Sequence, residues 1–199
     1  MYSYRIEQAI RAAAILHEGQ KRRGKVPLPY VTHLAAVAWI VSDYTDNEDT
    51  IVGAWLHDTL EDTDYTREEL EEDFGHEVKK IVEAVTEPKE KDGKKLSWAD
   101  SKEAYNEQLK VGPEEALVIS AADKIHNMRS IVEEYHDNQK AFLRDFPGDL
   151  DERALRYQNL SNILNRRLTN DIIAEFNHVY SEYKNFLGHV SKISPNQNL

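Results

Sequence analysis

Apolar residues recur at helical spacing along most of the chain, and no segment alternates convincingly between apolar and polar residues as a half-buried strand does. In the first such stretch, Ile6, Ile10, Ala13, Ala14 and His17 fall on one face of a helix. Further helices are predicted at about 32–41, 51–60, 66–74, 76–86, 98–109, 114–134, 150–168 and 170–187. The sequence therefore predicts an all-α fold.

Local signals mark the ends of several of these helices. Thr66, with Glu69 three residues later, has the spacing of a capping box, and Pro113 suits the first turn of the helix that follows it. Thr32 is a candidate cap for the second helix. Residues 87–97, where a proline and a glycine lie among lysines and acids, are the best candidate for a mobile loop.

The length of 199 residues fits one domain with a sizeable core. We expect this single domain at residues 1–190, with the chemical motifs within 4–135 and the C-terminal helices at 150–187. The polar tail at 191–199 is expected to be disordered.

The composition excludes several classes of site and partner. The chain has no cysteine, which rules out disulfides, zinc fingers, iron–sulfur clusters and cysteine nucleophiles and fits a reducing cytoplasm. Its formal net charge of −11 argues against a nucleic-acid binder. The N-terminus lacks the pattern of a signal peptide and the apolar runs are short, so we expect no membrane segment. An anionic substrate would therefore need a local basic patch.

One short segment carries the strongest chemical signal. Trp55–Leu56–His57–Asp58–Thr59 runs directly into Glu61 and Asp62. On one continuous helix, Glu61 would lie a turn beyond His57 and Asp62 a turn beyond Asp58, so that each pair shares a face. Imidazoles and carboxylates are the ligands of divalent metals that remain hydrolytically active.

Two distant segments extend this group into a predicted metal site. The predicted ligands are two imidazoles and two carboxylates from three helices: His33, His57, Asp58 and Asp123. Such mixed ligation favours Mn²⁺, Fe²⁺ or Zn²⁺ over Ca²⁺ or a bare Mg²⁺ site, and leaves positions for water and a phosphate oxygen. A metal would lower the pKa of its bound water, which Glu61 or Asp62 could orient or deprotonate.

Each feature alone has an ordinary structural explanation. A histidine in a helix is more often a packed or capping residue than a ligand, and an Asp-Lys pair on a helix is usually solvated. The basic loop of Lys21, Arg22, Arg23 and Lys25 suits phosphate, because guanidinium groups bind phosphate oxygens in pairs. Without the neighbouring motif, this loop would be interpreted as a solvated surface loop. The combination favours phosphate chemistry.

Together these segments resemble the HD-domain metal phosphohydrolases. More narrowly, they resemble the hydrolase domain of the RelA/SpoT alarmone enzymes and the stand-alone small alarmone hydrolases of the Mesh1-like group. The resemblance covers about residues 4–135. The matching segments are His17–Arg23, Pro29–His33, Leu56–Thr63, Phe74–Gly75, Val85–Thr86 and Ala122–Arg129. The resemblance implies an HD-domain helical bundle.

The resemblance also implies roles for individual residues. The four predicted ligands would hold Mn²⁺, with Fe²⁺, Zn²⁺ or Mg²⁺ as alternatives, and Glu61 and Asp62 would manage the nucleophilic water. The residues expected from the resemblance to contact the substrate are Arg22, Arg23 and Asn127, and the basic loop adds Lys21. The implied reaction belongs to the stringent response: it removes pyrophosphate from the 3′ position of (p)ppGpp and yields GDP or GTP.

Three departures from the family pattern keep other functions open. Leu34 stands where proline is usual, the loop between Arg23 and Tyr30 differs in length and composition, and residues 94–109 lack a clear match to a basic and tyrosine pattern. The alternatives are a phosphohydrolase of another nucleotide, such as a deoxynucleoside monophosphate or the 2′-phosphate of NADPH, and a non-catalytic nucleotide-binding module. We expect degradation without synthesis, because no synthetase domain fits in the remaining residues. The C-terminal helices allow a homodimer.

Overall fold

The computed structural model describes residues 3–22, 26–91, 93–145 and 150–193. This part is almost entirely helical, so the all-α prediction is confirmed. The helices are α1 Tyr4–Leu16, α2 Val31–Ser42, α3 Glu48–Leu56, α4 Thr59–Asp62, α5 Arg67–Phe74, α6 His76–Val85, α7 Trp98–Val111, α8 Glu114–Asp137, α9 Gln139–Asp145, α10 Leu150–Arg167 and α11 Ile172–Ile193. Two short strands, β1 Glu90–Lys91 and β2 Lys94–Lys95, pair antiparallel between α6 and α7.

Local side-chain chemistry fixes several helix ends. The predicted capping box is present, since the Thr66 hydroxyl accepts the amide of Glu69 and the Glu69 carboxylate accepts the amide of Thr66. Gly75, at φ 86°, adopts a left-handed conformation that separates α5 from α6. The predicted cap at Thr32 is wrong, because Thr32 lies within α2, which begins at Val31, and its hydroxyl donates to the carbonyl of Pro29.

Helix α8 lies at the centre of the structure and packs against α2, α3, α6, α10 and α11. Every residue from Ala116 to Asp123 is buried, which is the pattern of a helix surrounded by other elements. Burial of a side chain such as Leu117 or Ile119 stabilises the fold by about 1.5–3 kcal/mol. A carboxylate on such a helix must find partners inside the protein, and Asp123 is in that position.

Helix α3 approaches α6 and α8 closely because position 53 has no side chain. A Cβ at Gly53 would lie 2.9 Å from Cγ2 of Ile81 and 3.2 Å from Cδ1 of Ile119. Any larger residue would therefore force α3 or its neighbours to shift. This close packing fixes the C-terminal end of α3, where the His-Asp motif begins.

The C-terminal helices extend the bundle. Both α10 and α11 pack against α8, and α10 also contacts α7. Arg167 ties α10 to the end of α7 by donating to the carbonyls of Leu109 (3.1 Å) and Gly112 (3.0 Å). Although α8 and α11 have 24 and 22 residues, no helix in the described part combines the length and hydropathy that crossing a bilayer requires.

Three segments differ from the sequence-based expectation. Helix α11 continues to Ile193, so the first three residues of the predicted disordered tail are helical, anchored by the buried Val190. Residues 194–199 lie outside the described part, and the domain boundary at 190 stays a prediction. Helix α9 was not predicted, and the hairpin of β1 and β2 lies within the segment predicted as a mobile loop.

Candidate active site

The motif His57–Asp58 lies in a turn rather than within a helix. Helix α3 ends at Leu56, and α4 begins at Thr59. Two side chains explain this break: the His57 imidazole donates from Nδ1 to the carbonyl of Ala54 (2.8 Å), and the Thr59 hydroxyl donates to the carbonyl of Leu56 (2.7 Å). These bonds occupy carbonyls that would accept backbone amides in a continuous helix.

The predicted single helix over 51–60 is therefore wrong, because it is divided at His57 and Asp58. Asp58 instead precedes α4, and its carbonyl accepts the amides of Glu61 (3.2 Å) and Asp62 (2.9 Å). Both acids therefore lie next to the His-Asp pair because of a tight turn, and not because of the continuous helix that was predicted.

His33, His57 and Asp58 form a compact cluster, in which one ligand atom from each lies within 4.8 Å of the other two. Nε2 of His57 is 3.2 Å from Oδ2 of Asp58, and Nε2 of His33 is 3.5 Å from the same oxygen. Within the described residues, the buried Nε2 of His57 makes no hydrogen bond of regular geometry. Because Nδ1 of this ring donates to a carbonyl, Nε2 of the neutral ring carries the lone pair that a metal ligand needs.

Asp123 reaches this cluster from α8. Its Oδ1 lies 3.3 Å from Nε2 of His33 and accepts a hydrogen bond from Nδ2 of Asn127 (2.5 Å). The Lys124 ammonium pairs with the other carboxylate oxygen. The structure thus brings three of the four predicted ligands into one cluster and places the fourth against His33.

The charges of the cluster favour a cation. Burial lowers the pKa of His57, but the Asp58 and Asp123 carboxylates and the Ala54 carbonyl together more than offset this and raise that pKa to about 9. Burial also raises the pKa of each carboxyl group, yet His57 holds the pKa of Asp58 well below its usual range, and Lys124 does the same for Asp123. Two ionised carboxylates that attract a proton to His57 would equally attract a divalent metal, which would displace that proton. The donor set therefore fits a metal ion.

Glu61 and Asp62 follow the cluster on α4. Oε2 of Glu61 accepts the amide of Glu87 (3.3 Å), and the Lys89 ammonium donates to the Glu61 carbonyl (2.7 Å). Burial and the nearby Glu87 raise the pKa of Glu61, while burial and Asp58 raise the pKa of Asp62. Both carboxylates therefore gain affinity for a proton, as a general base requires.

A cavity of about 580 Å³ opens beside the cluster, within the usual size range of small-molecule sites. Its acidic and imidazole lining includes His57, Asp58, Glu61 and Asp123. Its basic lining includes Lys21, Arg22, Lys102, Lys124, Arg153 and Arg156. Asp62 is not among the lining residues in the described part of the chain. The lining also contains Glu87 and Glu134, so it combines six basic groups with five carboxylates. In a protein of net charge −11, such a concentration of basic groups is compatible with an anionic ligand.

Three of the four predicted substrate contacts line this cavity: Lys21, Arg22 and Asn127. The Arg22 guanidinium donates to Oδ1 of Asn127 (2.8 Å). Since Asn127 also donates to Asp123, the basic loop is connected to the cluster through one amide side chain. Arg23 and Lys25 lie outside the described residues.

Sequence reasoning missed two partners of the cluster. The Tyr30 hydroxyl donates to Oδ2 of Asp58 (2.7 Å), and Nδ1 of His126 lies 2.8 Å from Nδ1 of His33. A signal for both was present, because Tyr30 precedes His33 by three residues and His126 follows Asp123 by three, the spacing of neighbours on a helix.

A second missed group comes from α10, which contributes Arg153, Arg156 and Tyr157 to the cavity wall. The guanidinium of Arg156 lies 3.5 Å from the centroid of the Trp98 ring at the start of α7, a cation–π contact. In the sequence, arginines on an amphipathic helix cannot be told from ordinary surface residues, so no local pattern marks these two as site residues.

The family model of the HD domain matches residues 9–147. The chain belongs to the HD-domain family. This HD-domain chain is 34% identical over 147 residues to the bifunctional (p)ppGpp synthase/hydrolase SpoT of Escherichia coli K12, a match that covers 71% of the chain but only 20% of SpoT. It is 38% identical over 128 residues to the guanosine-3′,5′-bis(diphosphate) 3′-pyrophosphohydrolase MESH1 of Xenopus tropicalis, covering 63% of the chain and 69% of MESH1.

Solved structures share the fold of this HD-domain chain. The structure of a metazoan ortholog of SpoT, described as hydrolysing ppGpp and playing a role in starvation responses, matches with a TM-score of 0.74 and 26% identity and covers 92% of this chain and 97% of that one. The crystal structure of lmo0812 from Listeria monocytogenes matches with a TM-score of 0.65 and 27% identity, covering 74% of this chain and 96% of that one. The first likeness extends beyond residues 9–147 and so includes C-terminal helices.

Proposed function

We propose that this HD domain is a metal-dependent hydrolase that removes pyrophosphate from the 3′ position of (p)ppGpp and yields GDP or GTP. The cavity carries the proposal, because it joins the carboxylate–imidazole cluster to six basic side chains. A group of basic side chains of this size suits a substrate with several phosphate charges. The relatives named as hydrolases of this nucleotide support the assignment.

We propose that the bound ion is Mn²⁺, with Fe²⁺, Zn²⁺ or Mg²⁺ as alternatives. Its ligands would be His33, His57, Asp58 and Asp123. Nitrogen and oxygen donors together suit Mn²⁺, Fe²⁺ and Zn²⁺ better than Mg²⁺. The buried Nε2 of His57, which makes no hydrogen bond of regular geometry within the described residues, supports the assignment. When bound, the ion would lower the pKa of a coordinated water and neutralise charge at the attacked phosphorus.

The proton of the attacking water would pass to a carboxylate of α4. Glu61 is the better candidate, because it lines the cavity and its pKa is raised by burial and by Glu87. Asp62 is the alternative, since burial and Asp58 raise its pKa as well. A base with a raised pKa takes a proton more readily near neutral pH.

The basic side chains would bind the phosphates and hold the scissile group beside the cluster. Lys21 and Arg22 act from the loop between α1 and α2, and Arg153 and Arg156 act from α10. Asn127 orients Arg22 through the hydrogen bond between them. One guanidinium group can bind two phosphate oxygens at once, which also fixes the orientation of the substrate.

The experiment that tests this function incubates the protein with ppGpp, pppGpp, NADPH and deoxynucleoside monophosphates, each with Mn²⁺ and with a chelator. Pyrophosphate and orthophosphate are measured separately. We expect Mn²⁺-dependent pyrophosphate from ppGpp and pppGpp alone. Release of orthophosphate from NADPH or a monophosphate would support the metal-dependent hydrolysis but would show that (p)ppGpp is not the substrate. No release from any compound, with metal shown to be bound, would favour a non-catalytic nucleotide-binding module.

We infer a cytoplasmic setting from the cysteine-free composition. The net charge of −11 favours a small anionic substrate held by local basic groups over a nucleic-acid partner. A homodimer through the C-terminal helices stays a prediction, and analytical ultracentrifugation at several concentrations measures it.

A further inference from the structure

The two imidazoles of the candidate metal centre are held by different kinds of partner. His57 donates from Nδ1 to the carbonyl of Ala54, an oxygen that only accepts, so this nitrogen must carry a hydrogen. His33 instead has its Nδ1 2.8 Å from Nδ1 of His126, with the two ring centroids 4.8 Å apart. Two ring nitrogens face each other there, and a hydrogen bond between them needs a hydrogen on one nitrogen alone.

The position of that hydrogen determines what His33 offers the cluster. If His126 carries it, a neutral His33 has its own hydrogen on Nε2 and can only donate towards the Asp123 carboxylate, 3.3 Å away. If His33 carries the hydrogen on Nδ1, its Nε2 holds a lone pair that faces the carboxylates of Asp58 and Asp123. Only the second arrangement allows His33 to bind a metal.

We propose that His126 is a positioning residue of the metal centre: its Nδ1 accepts the hydrogen bond from Nδ1 of His33 and so fixes His33 in the tautomer that binds metal. This inference rests on the metal-dependent function proposed above. A carboxylate, a carbonyl or a water usually orients a ligand histidine in this way. Here an imidazole does so, and because His33 is buried, bulk water does not compete for its Nδ1. Helix α8 would thus supply one ligand, Asp123, and the partner that orients another.

Nitrogen NMR of the histidine rings tests the direction of this hydrogen bond without any mutation. Uniformly ¹⁵N-labelled protein is loaded with Zn²⁺, which is diamagnetic, and the tautomer of each ring is assigned. We expect hydrogen on Nδ1 of His33, none on Nδ1 of His126, and zinc-dependent shifts at Nε2 of His33 and His57. A hydrogen on Nδ1 of His126 in the zinc-loaded protein, or no zinc-dependent shift at His33, would overturn the proposal. Because no substrate is present, a failure of ppGpp hydrolysis would not affect this result.

Two variants of His126 separate orientation from packing. His126→Leu removes the acceptor, whereas His126→Asn keeps a carbonyl oxygen near the place of Nδ1. Competition with a chelating dye should show Zn²⁺ and Mn²⁺ affinity about 10–100-fold weaker in the leucine variant and largely recovered in the asparagine variant. His178→Leu, at an exposed histidine of α11, is the matched control and should bind metal as the wild type does.

Either of two results would contradict a positioning role for His126. One is wild-type metal affinity in a folded His126→Leu protein, which would mean that the acceptor is not needed. The other is an equal loss of affinity in the leucine and asparagine variants, which would point to packing rather than hydrogen bonding. Should the leucine variant fail to fold, the asparagine variant and the ring tautomers decide the question.

Discussion

The two ends of the cavity are built in opposite ways. At the cluster end, His33 and His57 are 1% and 4% exposed, and a hydrogen bond from within the protein holds each ring. At the other end, which we call the basic wall (Lys102, Arg153 and Arg156), the side chains are long, and Arg156 lies over a Trp98 ring that is 49% exposed. The cluster is therefore preorganised by hydrogen bonds within the protein, whereas the basic wall consists of long, half-buried side chains that line the cavity.

This difference separates the rate of the reaction from the affinity for the substrate. Groups that are buried and fixed before the reaction stabilise the charge that develops in the transition state. Basic groups that bind phosphates away from the reacting bond interact with the substrate and the transition state about equally, which changes KM more than kcat. Changes at the cluster should therefore lower kcat, and changes in the basic wall should raise KM.

The largest effect is expected from His57→Ala, which removes a predicted ligand from the cluster. Hydrolysis of ppGpp should fall by at least about a thousandfold, because a metal contributes several kcal/mol to catalysis and about 1.4 kcal/mol is a factor of ten. The rise in Tm on adding Mn²⁺ should also disappear. For metal at a hundred times its Kd, that rise corresponds to about 2.7 kcal/mol, or roughly 5–10 °C in a protein of this size.

Calorimetry with and without Mn²⁺, on wild type and variant, provides the control for His57→Ala. The metal-free proteins should both unfold cooperatively, so that lost activity is not lost folding. A variant that keeps the metal-induced rise in Tm and also turns over would show that His57 is not a ligand.

The second largest effect is expected from Glu61→Gln, which keeps the size of the side chain and removes the base. We expect kcat to fall by about 10²–10⁴-fold, the usual contribution of general base catalysis, with KM and metal affinity unchanged. Steady-state kinetics and metal titration measure the two properties separately. If metal affinity falls together with kcat, Glu61 belongs to the metal centre rather than to proton transfer.

The same contrast explains what the sequence could predict. The helices and the cluster residues could be predicted from the sequence, because apolar periodicity is local and because His57 and Asp58 are adjacent in the chain. The break between α3 and α4 could not, since it depends on side chains competing with backbone amides for two carbonyls, which periodicity does not record. The basic wall could not be predicted from the sequence either. Arg156 becomes a cavity residue only when α10 packs beside α7, a tertiary contact without a local signal.

A smaller effect is expected in the basic wall, from Arg156→Ala. Loss of one charge-assisted contact, worth about 1.5 kcal/mol, should raise KM for ppGpp about tenfold and leave kcat nearly unchanged. Arg166→Ala removes the same charge from an exposed position of α10 and is the matched control. Lower kcat at constant KM would place α10 in the chemical step and would break the distinction between the two ends.

The smallest effect is expected from Glu87→Gln, between the two ends, because Glu87 pairs with Lys102 and its amide contacts Glu61. After burial, the negative charge of Glu87 is the main cause of the raised pKa of Glu61. Removing that charge lowers the pKa, so Glu61 stays ionised to lower pH and the acid limb of the kcat profile moves to lower pH. The plateau value of kcat should change by less than about fivefold, because the amide of residue 87 still contacts Glu61 and an ion pair of this kind contributes at most about 1 kcal/mol.

Glu90→Gln, on the exposed strand β1, removes the same charge from the hairpin and should leave the pH profile unchanged. Profiles of kcat for the wild type and both variants, measured at saturating ppGpp and Mn²⁺, give the comparison. An acid limb that stays in place in Glu87→Gln would mean that it does not report the ionisation of Glu61. Asp62 would then become the candidate to test, because the raised pKa of Asp62 comes from burial and from Asp58 rather than from Glu87.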